Sequence, residues 1–185
     1  MHLPNGAIYK TDFVDAVEES ALAEWLDCLA WDSGLKRRVQ HFGHRYDYKA
    51  HAVLPEAYLG PLPSQLVAIA RRLLDKGYFA SPPDQVIANE YWPGQGISAH
   101  VDCVPCFDTT IVSLSLLSPC EMVFANPSIR AKCRLLLEPR SAIILRDEAR
   151  YQWTHAIPAR KSDMIDGKRV ARQRRISLTF RKVVK

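Results

Sequence analysis

The chain reads as an α+β protein, two helices followed by at least seven short strands, built as an antiparallel sandwich or jelly roll. Three observations carry that expectation. Helical periodicity is confined to the first 80 residues. After it, "DQVIANEYW", "TTIVSLSLL", "EMVFA", "CRLLLE", "SAIILR", "YQWTHAI" and "RISLTFRKV" are short, rich in β-branched and aromatic residues, and separated by Pro, Gly, Asn or Asp. Finally, 185 residues with 48% hydrophobic content suffice for one well-buried core, so residues 1–185 are expected to form one domain, with 81–185 as its jelly-roll core.

In order along the chain, "TDFVDAVEESALAEWLDCLAW" (11–31) reads as an amphipathic helix. Phe13, Val17, Leu22, Leu26 and Leu29 recur near helical spacing, and acids crowd the first turns, where the helix dipole favours them. "RRVQHFGHRYDYK" (37–49), with Gly43 at its centre, reads as a hairpin between the helices. "PSQLVAIARRLLDK" (63–76) is the second helix, with Pro63 at its start and Gly77 just past its end. Both helices are expected on the outside of the larger sheet. There is no internal repeat, low-complexity tract or linker.

No stretch approaches the ~18 consecutive apolar residues of a membrane-spanning helix, and "MHLPNGAIYK" lacks the charged and apolar regions of a signal peptide. Five cysteines, an odd number, then suggest reduced thiols in a cytoplasmic protein, expected to be a monomer. Charge is unevenly placed: residues 125–185 carry 16 of the 25 Lys and Arg but 5 of the 20 Asp and Glu, a net +11, which leaves the preceding residues at −6. A strongly basic last third suits a polyanionic partner, nucleic acid first. A solvated basic face that binds nothing would read the same way, and some of these arginines could instead serve a small anionic ligand.

The stretch "NEYWPGQGISAHVD" (89–102) ends on His-x-Asp. In extended chain, residues two apart point to one side, so His100 and Asp102 aim at one point. Imidazole and carboxylate together make two-thirds of the 2-His-1-carboxylate set that holds non-haem Fe(II). A surface His beside a turn Asp would leave the same two letters. Of the six histidines, only His155 lies in the middle of a late strand-like run, which makes it the best third member; taken alone it also reads as a satisfied core or edge histidine. In "RRISLTFRKV", Arg175, Ser177, Thr179 and Arg181 share one strand face and Ile176, Leu178 and Phe180 the other. The two arginines stand roughly 20 Å apart at strand rise. Reaching inward, they would leave a gap on the scale of a short dicarboxylic acid, which guanidinium recognises in bidentate fashion. Asn89 and Tyr91 share a face and could add hydrogen bonds to the same ligand.

Taken together, "NEYWPGQGISAHVD", "IVSLSLL", "RYQWTHAI" and "RISLTFR" resemble the AlkB-like family of Fe(II)/2-oxoglutarate dioxygenases over roughly residues 37–183. The resemblance implies a double-stranded β-helix (a jelly roll). It implies Fe(II) held by His100, Asp102 and His155, with 2-oxoglutarate and O2 as co-substrates. It places the distal carboxylate of 2-oxoglutarate on Arg175 with Tyr91 helping, and puts Arg181 and Asn89 near the carboxylate at the metal end. "HFGHRYDYK" matches the family's nucleotide lid, which makes Tyr46 and Tyr48 candidates to touch substrate; packing of both on the core is the equal alternative. The expected reaction is oxidation of an alkylated or modified nucleobase in DNA or RNA, by demethylation with release of formaldehyde, as in nucleic-acid dealkylation and DNA repair. The alternatives are hydroxylation of a modified tRNA nucleoside, an RNA modification, or oxidation of a protein or lipid-like substrate.

Two departures from the family pattern bear on substrate. Val104 stands where the best-known repair members carry an acidic residue near the exocyclic amine of a methylated adenine or cytosine. Ser177 stands where those members have Asn, a change expected to be tolerated. A rival reading takes His100, Cys103 and Cys106 as part of a zinc site, on the strength of the single C-x-x-C.

Overall fold

Alternation along the strands sorts the apolar residues into two cores, and that sorting fixes the architecture. The computed structural model describes residues 2–184. In chain order, the first half holds β1 (Ala7–Lys10), α1 (Ala16–Asp27), β2 (Arg38–Phe42), α2 (Ser64–Asp75), β3 (Gln85–Tyr91) and β4 (Ile97–His100). Next come β5 (Phe107–Leu117), β6 (Cys120–Asn126), β7 (Ala131–Leu137), β8 (Ala142–Leu145) and α3 (Asp147–Tyr151). The chain finishes with β9 (Thr154–Ile157), β10 (Ser162–Ile165), β11 (Lys168–Ala171) and β12 (Arg175–Val183).

A six-stranded sheet runs β1-β8-β5-β12-β3-β2 and a four-stranded sheet runs β4-β9-β6-β7, with β10 and β11 as a separate hairpin. Every pairing is antiparallel. Val112, Ile144, Ile176, Leu178 and Phe180 pack with the helices on the outer face of the larger sheet. Their neighbours Ile111 and Ile143 turn inward, with Phe124 and Ile157 of the smaller sheet, into the second core. This is the jelly roll expected from the sequence, with both helices outside the larger sheet.

The helices are shorter than their hydrophobic patterns suggested. α1 begins at Ala16 because Asp15 caps it: the Glu18 amide donates to Asp15 Oδ1 at 2.8 Å, and the Asp15 amide donates back to Glu18 Oε2 at 3.1 Å. Phe13 is buried ahead of the helix, and Val17, expected on the buried stripe, is 78% exposed. α2 buries Leu66, Ile69, Ala70 and Leu73, a helical stripe, against the sheet.

The segment 37–49 is not a hairpin. β2 pairs with β3 as the outer strand of the larger sheet, and the chain then leaves it at Gly43. Gly43 has φ +76°, and a Cβ there would stand 1.8 Å from the Asp84 carbonyl oxygen, so only glycine fits. Beyond it the chain forms a loop closed by bridges between His44 and Tyr58 and between Asp47 and Ala52. Three further elements lacked a clear signal in the sequence: β1, α3 and the β10–β11 hairpin.

Candidate active site

The cavity between the sheets has a volume of about 500 Å³, and its walls include every residue singled out for metal, co-substrate and substrate. β4 and β9 pair so that His100 and His155 are direct partners, their ring centres 4.4 Å apart. Asp102 lies two residues past the end of β4, and its carboxylate converges with the imidazoles as the His-x-Asp spacing predicts. One ligand atom from each of His100, Asp102 and His155 falls within 4.8 Å of the others. His100 Nδ1 lies 2.8 Å from the Ser98 carbonyl oxygen, which makes Nδ1 the protonated nitrogen and leaves Nε2 free as a ligand.

Electrostatics prepare Asp102 and His155 for a cation. Burial would raise the Asp102 carboxyl, but the charge of Arg181 and its hydrogen bonds to the carboxylate hold it well below the usual carboxylate range. Burial pushes His155 down to about 4, against the pull of Asp102, so its ring is neutral and has a lone pair to give. A donor set of two imidazoles and one carboxylate fits a divalent first-row metal. Among the described residues no other cluster of three His, Cys, Asp or Glu side chains has ligand spacing. The zinc alternative does not assemble, because Cys103 and Cys106 are bonded to each other. That bond also corrects the expectation of reduced thiols for this pair, while Cys28, Cys120 and Cys133 are free.

Along β12 the inward face carries Arg175, Ser177, Thr179 and Arg181, all buried. Arg181 is committed to the metal end, donating to Asp102 Oδ1 and to Gln85 Oε1. Arg175, 3% exposed, is paired with no carboxylate among the described residues. Its Nη2 donates to Ser115 Oγ at 2.8 Å, its Nε is buried without a partner, and its guanidinium sits 5.4 Å from the Tyr91 ring centre. A buried, uncompensated guanidinium is costly, and a bound carboxylate relieves that cost. Asn89 lies opposite Ser177, midway along the face, and accepts from Arg37 Nε at 2.9 Å. Ser177 is satisfied by Ser113, their hydroxyl oxygens 2.7 Å apart.

Tyr46 and Tyr48 stand in the cavity wall, edge to face with ring centres 5.2 Å apart. The Tyr48 hydroxyl is buried without a partner, and burial raises its pKa. Val104 is 49% exposed and lies outside the wall, which contains no carboxylate except Asp102. Two positions at or beside the cavity carried no sequence signal. Arg37 enters the wall beside Asn89. Arg150, 2% exposed, donates to the carbonyls of Asp102, Cys103 and Phe107 at 2.9, 3.1 and 3.4 Å, and so pins the turn that carries the carboxylate.

Part of the basic last third is neutralised in three dimensions: seven of its sixteen Lys and Arg pair with described carboxylates. Arg140 pairs with Asp12 and Glu19, Arg174 with Asp27 and Glu90, Lys182 with Asp84, and Arg134 and Arg160 with Glu121. Lys161, Lys168 and Arg169, in and beside the β10–β11 hairpin, are exposed and form no ion pair with a described carboxylate.

Residues 20–181 match the 2OG-Fe(II) oxygenase superfamily. An Arabidopsis thaliana protein named as an alkylated DNA repair protein ALKBH8 homolog is 37% identical over 96% of this chain. A Mus musculus tRNA (carboxymethyluridine(34)-5-O)-methyltransferase ALKBH8 is 36% identical over 88% of it. The aligned region spans 58% of the plant relative and 26% of the mouse one. The solved structure of OsALKBH1 superposes with a TM-score of 0.76 over 98% of this chain and 99% of that one, at 16% identity. Among the described residues, no helix is long and apolar enough to cross a membrane.

Proposed function

The chain belongs to the 2OG-Fe(II) oxygenase superfamily, in its AlkB-like branch, and is a non-haem iron enzyme that uses 2-oxoglutarate and O2; on that premise we propose that it oxidises a modified nucleobase of a nucleic acid. The observation that carries the reading is the pairing, in one cavity, of the His100–Asp102–His155 cluster with the uncompensated guanidinium of Arg175.

His100, Asp102 and His155 would hold the iron, and Arg175, steadied by Ser115 and flanked by Tyr91, would take the distal carboxylate of 2-oxoglutarate. Bound iron supplies O2-dependent oxidation, coupled to decarboxylation of 2-oxoglutarate to succinate and CO2. The protein's share is placement. Arg181 fixes Asp102, Ser98 fixes the tautomer of His100, and the inward apolar residues Ile111 and Ile143 keep that end of the cavity dry. Asn89 and Arg37 together form a polar rim between the co-substrate and Tyr46 and Tyr48. An extruded base enters against those aromatic faces, and stacking there offsets part of the unstacking cost of a few kcal/mol.

Demethylation with loss of formaldehyde and stable hydroxylation begin with the same oxidation at carbon. One observation favours hydroxylation of a carbonyl-rich base such as a modified tRNA uridine. The cavity wall has no carboxylate free to accept from an exocyclic amine, while Lys36, Arg37 and the Tyr48 hydroxyl all donate. The deciding experiment measures succinate release with Fe(II), 2-oxoglutarate and O2 on a methylated single-stranded oligonucleotide and on bulk tRNA, with nucleosides profiled by mass spectrometry. Formaldehyde with loss of a methyl mark identifies a demethylase, and one added oxygen on a tRNA nucleoside identifies a hydroxylase. Succinate without either change would remove nucleic acid as the substrate and point to a protein or lipid-like one.

A further inference from the structure

We propose that Cys103 and Cys106 are a reversible thiol–disulfide site that sets how firmly the segment bearing Tyr46 and Tyr48 is tied to the turn bearing Asp102. The two cysteines are three residues apart, with Cα atoms 5.3 Å apart, and are bonded through their sulfurs. They fall between Asp102 and Phe107, where Arg150 grips carbonyls at both ends of the turn. That grip does not involve the sulfurs, so it holds them close whether or not they are joined, and the ring they close is short.

On the other side, both sulfurs approach one atom, the carbonyl oxygen of His51, at 3.3 Å from Cys103 and 3.6 Å from Cys106. A disulfide sulfur carries no hydrogen, so in the oxidised chain these approaches are contacts only. In the dithiol each sulfur carries an S–H that can donate to that oxygen. His51 sits inside the loop closed by the Asp47–Ala52 and His44–Tyr58 bridges, and Tyr46 and Tyr48 belong to the same loop. His51, Tyr46, Tyr48 and Cys103 all border the cavity. Reduction therefore adds hydrogen bonds between the aromatic loop and the Asp102 turn, and oxidation removes them.

The chemistry balances with a low-molecular-weight disulfide of the glutathione class as oxidant. Cys103, the more exposed of the pair, attacks one sulfur of that disulfide as thiolate and releases one small thiol. Cys106 then attacks the Cys103 sulfur of the mixed disulfide and releases the second small thiol. The protein gives up two electrons and two protons, and the small disulfide takes up both as two thiols. The consequence for catalysis rests on the oxygenase reading of the cavity, but the exchange and the loss of contact do not require iron.

The test uses the full iron-free chain in buffers of graded reduced-to-oxidised glutathione ratio. Thiols are trapped by alkylation and read by mass spectrometry, and amide hydrogen exchange is followed over residues 44–58. The expected result is loss of both thiols in one two-electron transition, with exchange over 44–58 faster by about two- to fivefold in the oxidised chain, the size of one weak hydrogen bond. Cys103→Ser, which keeps a donor and cannot bridge, should hold the slow rate at every ratio. The double variant Cys103→Ala with Cys106→Ala should show the fast rate at every ratio. Thiols that stay unbridged in excess oxidised glutathione, or exchange over 44–58 that ignores their state, would overturn the proposal. Failure of the oxygenase reading would show separately, as absent 2-oxoglutarate turnover in the iron-loaded enzyme.

Discussion

Arg181 places two nitrogens on a single oxygen of Asp102: Nε and Nη2 reach Oδ1 at 2.8 and 2.6 Å, while Oδ2 faces His155 Nε2 at 3.4 Å. The carboxylate is thereby offered to the metal through one oxygen only, and its rotation is blocked from β12. Arg181→Met should free Oδ1 and let the carboxylate turn. Groups that orient ligands in this way are worth about 10- to 100-fold in metal affinity. Titration of the variant with Co(II), followed by its visible absorption, should show a loss of that size, and Arg181→Lys should recover part of it. An unchanged affinity would mean that Oδ1 is held by something else.

Arg175 leads to two opposite expectations from one substitution. With no counter-ion among the described residues, its buried guanidinium is a burden on the protein without 2-oxoglutarate. Arg175→Met should therefore raise the Tm measured without 2-oxoglutarate and abolish the further rise that 2-oxoglutarate gives the unaltered chain. The KM for 2-oxoglutarate should increase about 10- to 100-fold, the worth of hydrogen bonds to a charged group. A variant that is destabilised yet still responds to 2-oxoglutarate would show that Arg175 serves packing alone.

The difference between what was legible in the sequence and what was not follows how each feature is encoded. Arg175, Ser177, Thr179 and Arg181 could be assigned to one face because alternation along a strand is a local rule, and the same rule aimed His100 and Asp102 together. The capping box of Asp15 and Glu18 is also written locally, yet the apolar periodicity of 11–31 masked it and placed the helix start too early. In the sequence Gly43 reads as a hairpin centre because a turn glycine and a packing glycine look alike. What fixes its role is the Asp84 carbonyl, which is distant in sequence. The same holds for Arg150, whose partners are three backbone carbonyls with no residue signature. Which cations of the net +11 are paired is hidden for the same reason, since Arg140, Arg174 and Lys182 find their acids in the first half of the chain.

Gly96 links backbone packing to the metal cluster. A Cβ on it would stand 2.2 Å from the Ile157 carbonyl oxygen, so Gly96→Ala must push the start of β4 away from β9. Because β4 and β9 carry His100 and His155, the displacement falls on the spacing of the two imidazoles. A loss of about 1–3 kcal/mol in stability is expected from overpacking. Metal affinity should fall by more than tenfold, a change that Co(II) titration of the still-folded variant would register. Unaltered affinity would show that the strands can part without moving the ligands.

Glu90 is fully buried between Arg38 and Arg174. Burial would raise its carboxyl, but the two guanidinium groups hold it below its ordinary 4.5. A carboxyl lowered in the folded state binds fewer protons there than in the unfolded chain. Its contribution is complete above about pH 4.5 and is lost as pH falls through the folded value. Glu90→Gln should lower stability by about 1–2 kcal/mol near pH 7, less than for a sealed ion pair because both arginines reach solvent. The gap in Tm between the two chains should stay level from about pH 5 to 7 and close below about pH 4.5. A gap that widens in acid would contradict the assignment.

Nucleic-acid binding should depend on exposed, unpaired cations and not on the charge of the last third as a whole. Counter-ion release comes from cations that meet phosphate, and an arginine already held by a carboxylate releases little. Lys161, Lys168 and Arg169 project from one hairpin, and the Cγ of Lys161 lies 3.9 Å from where a Cβ on Gly94 would stand, in the turn that leads to β4. Replacing all three by Ala should lower the slope of log K against log salt by about 2 for a single strand, at roughly 0.7 per phosphate contact. Arg140→Ala, which removes a paired cation and leaves Glu19 and Asp12 unopposed, should leave that slope within error. Binding measured by fluorescence anisotropy on one labelled oligonucleotide at four salt concentrations separates the two. Equal effects would mean that the ion pairs open on binding, and total charge would then be the relevant quantity after all.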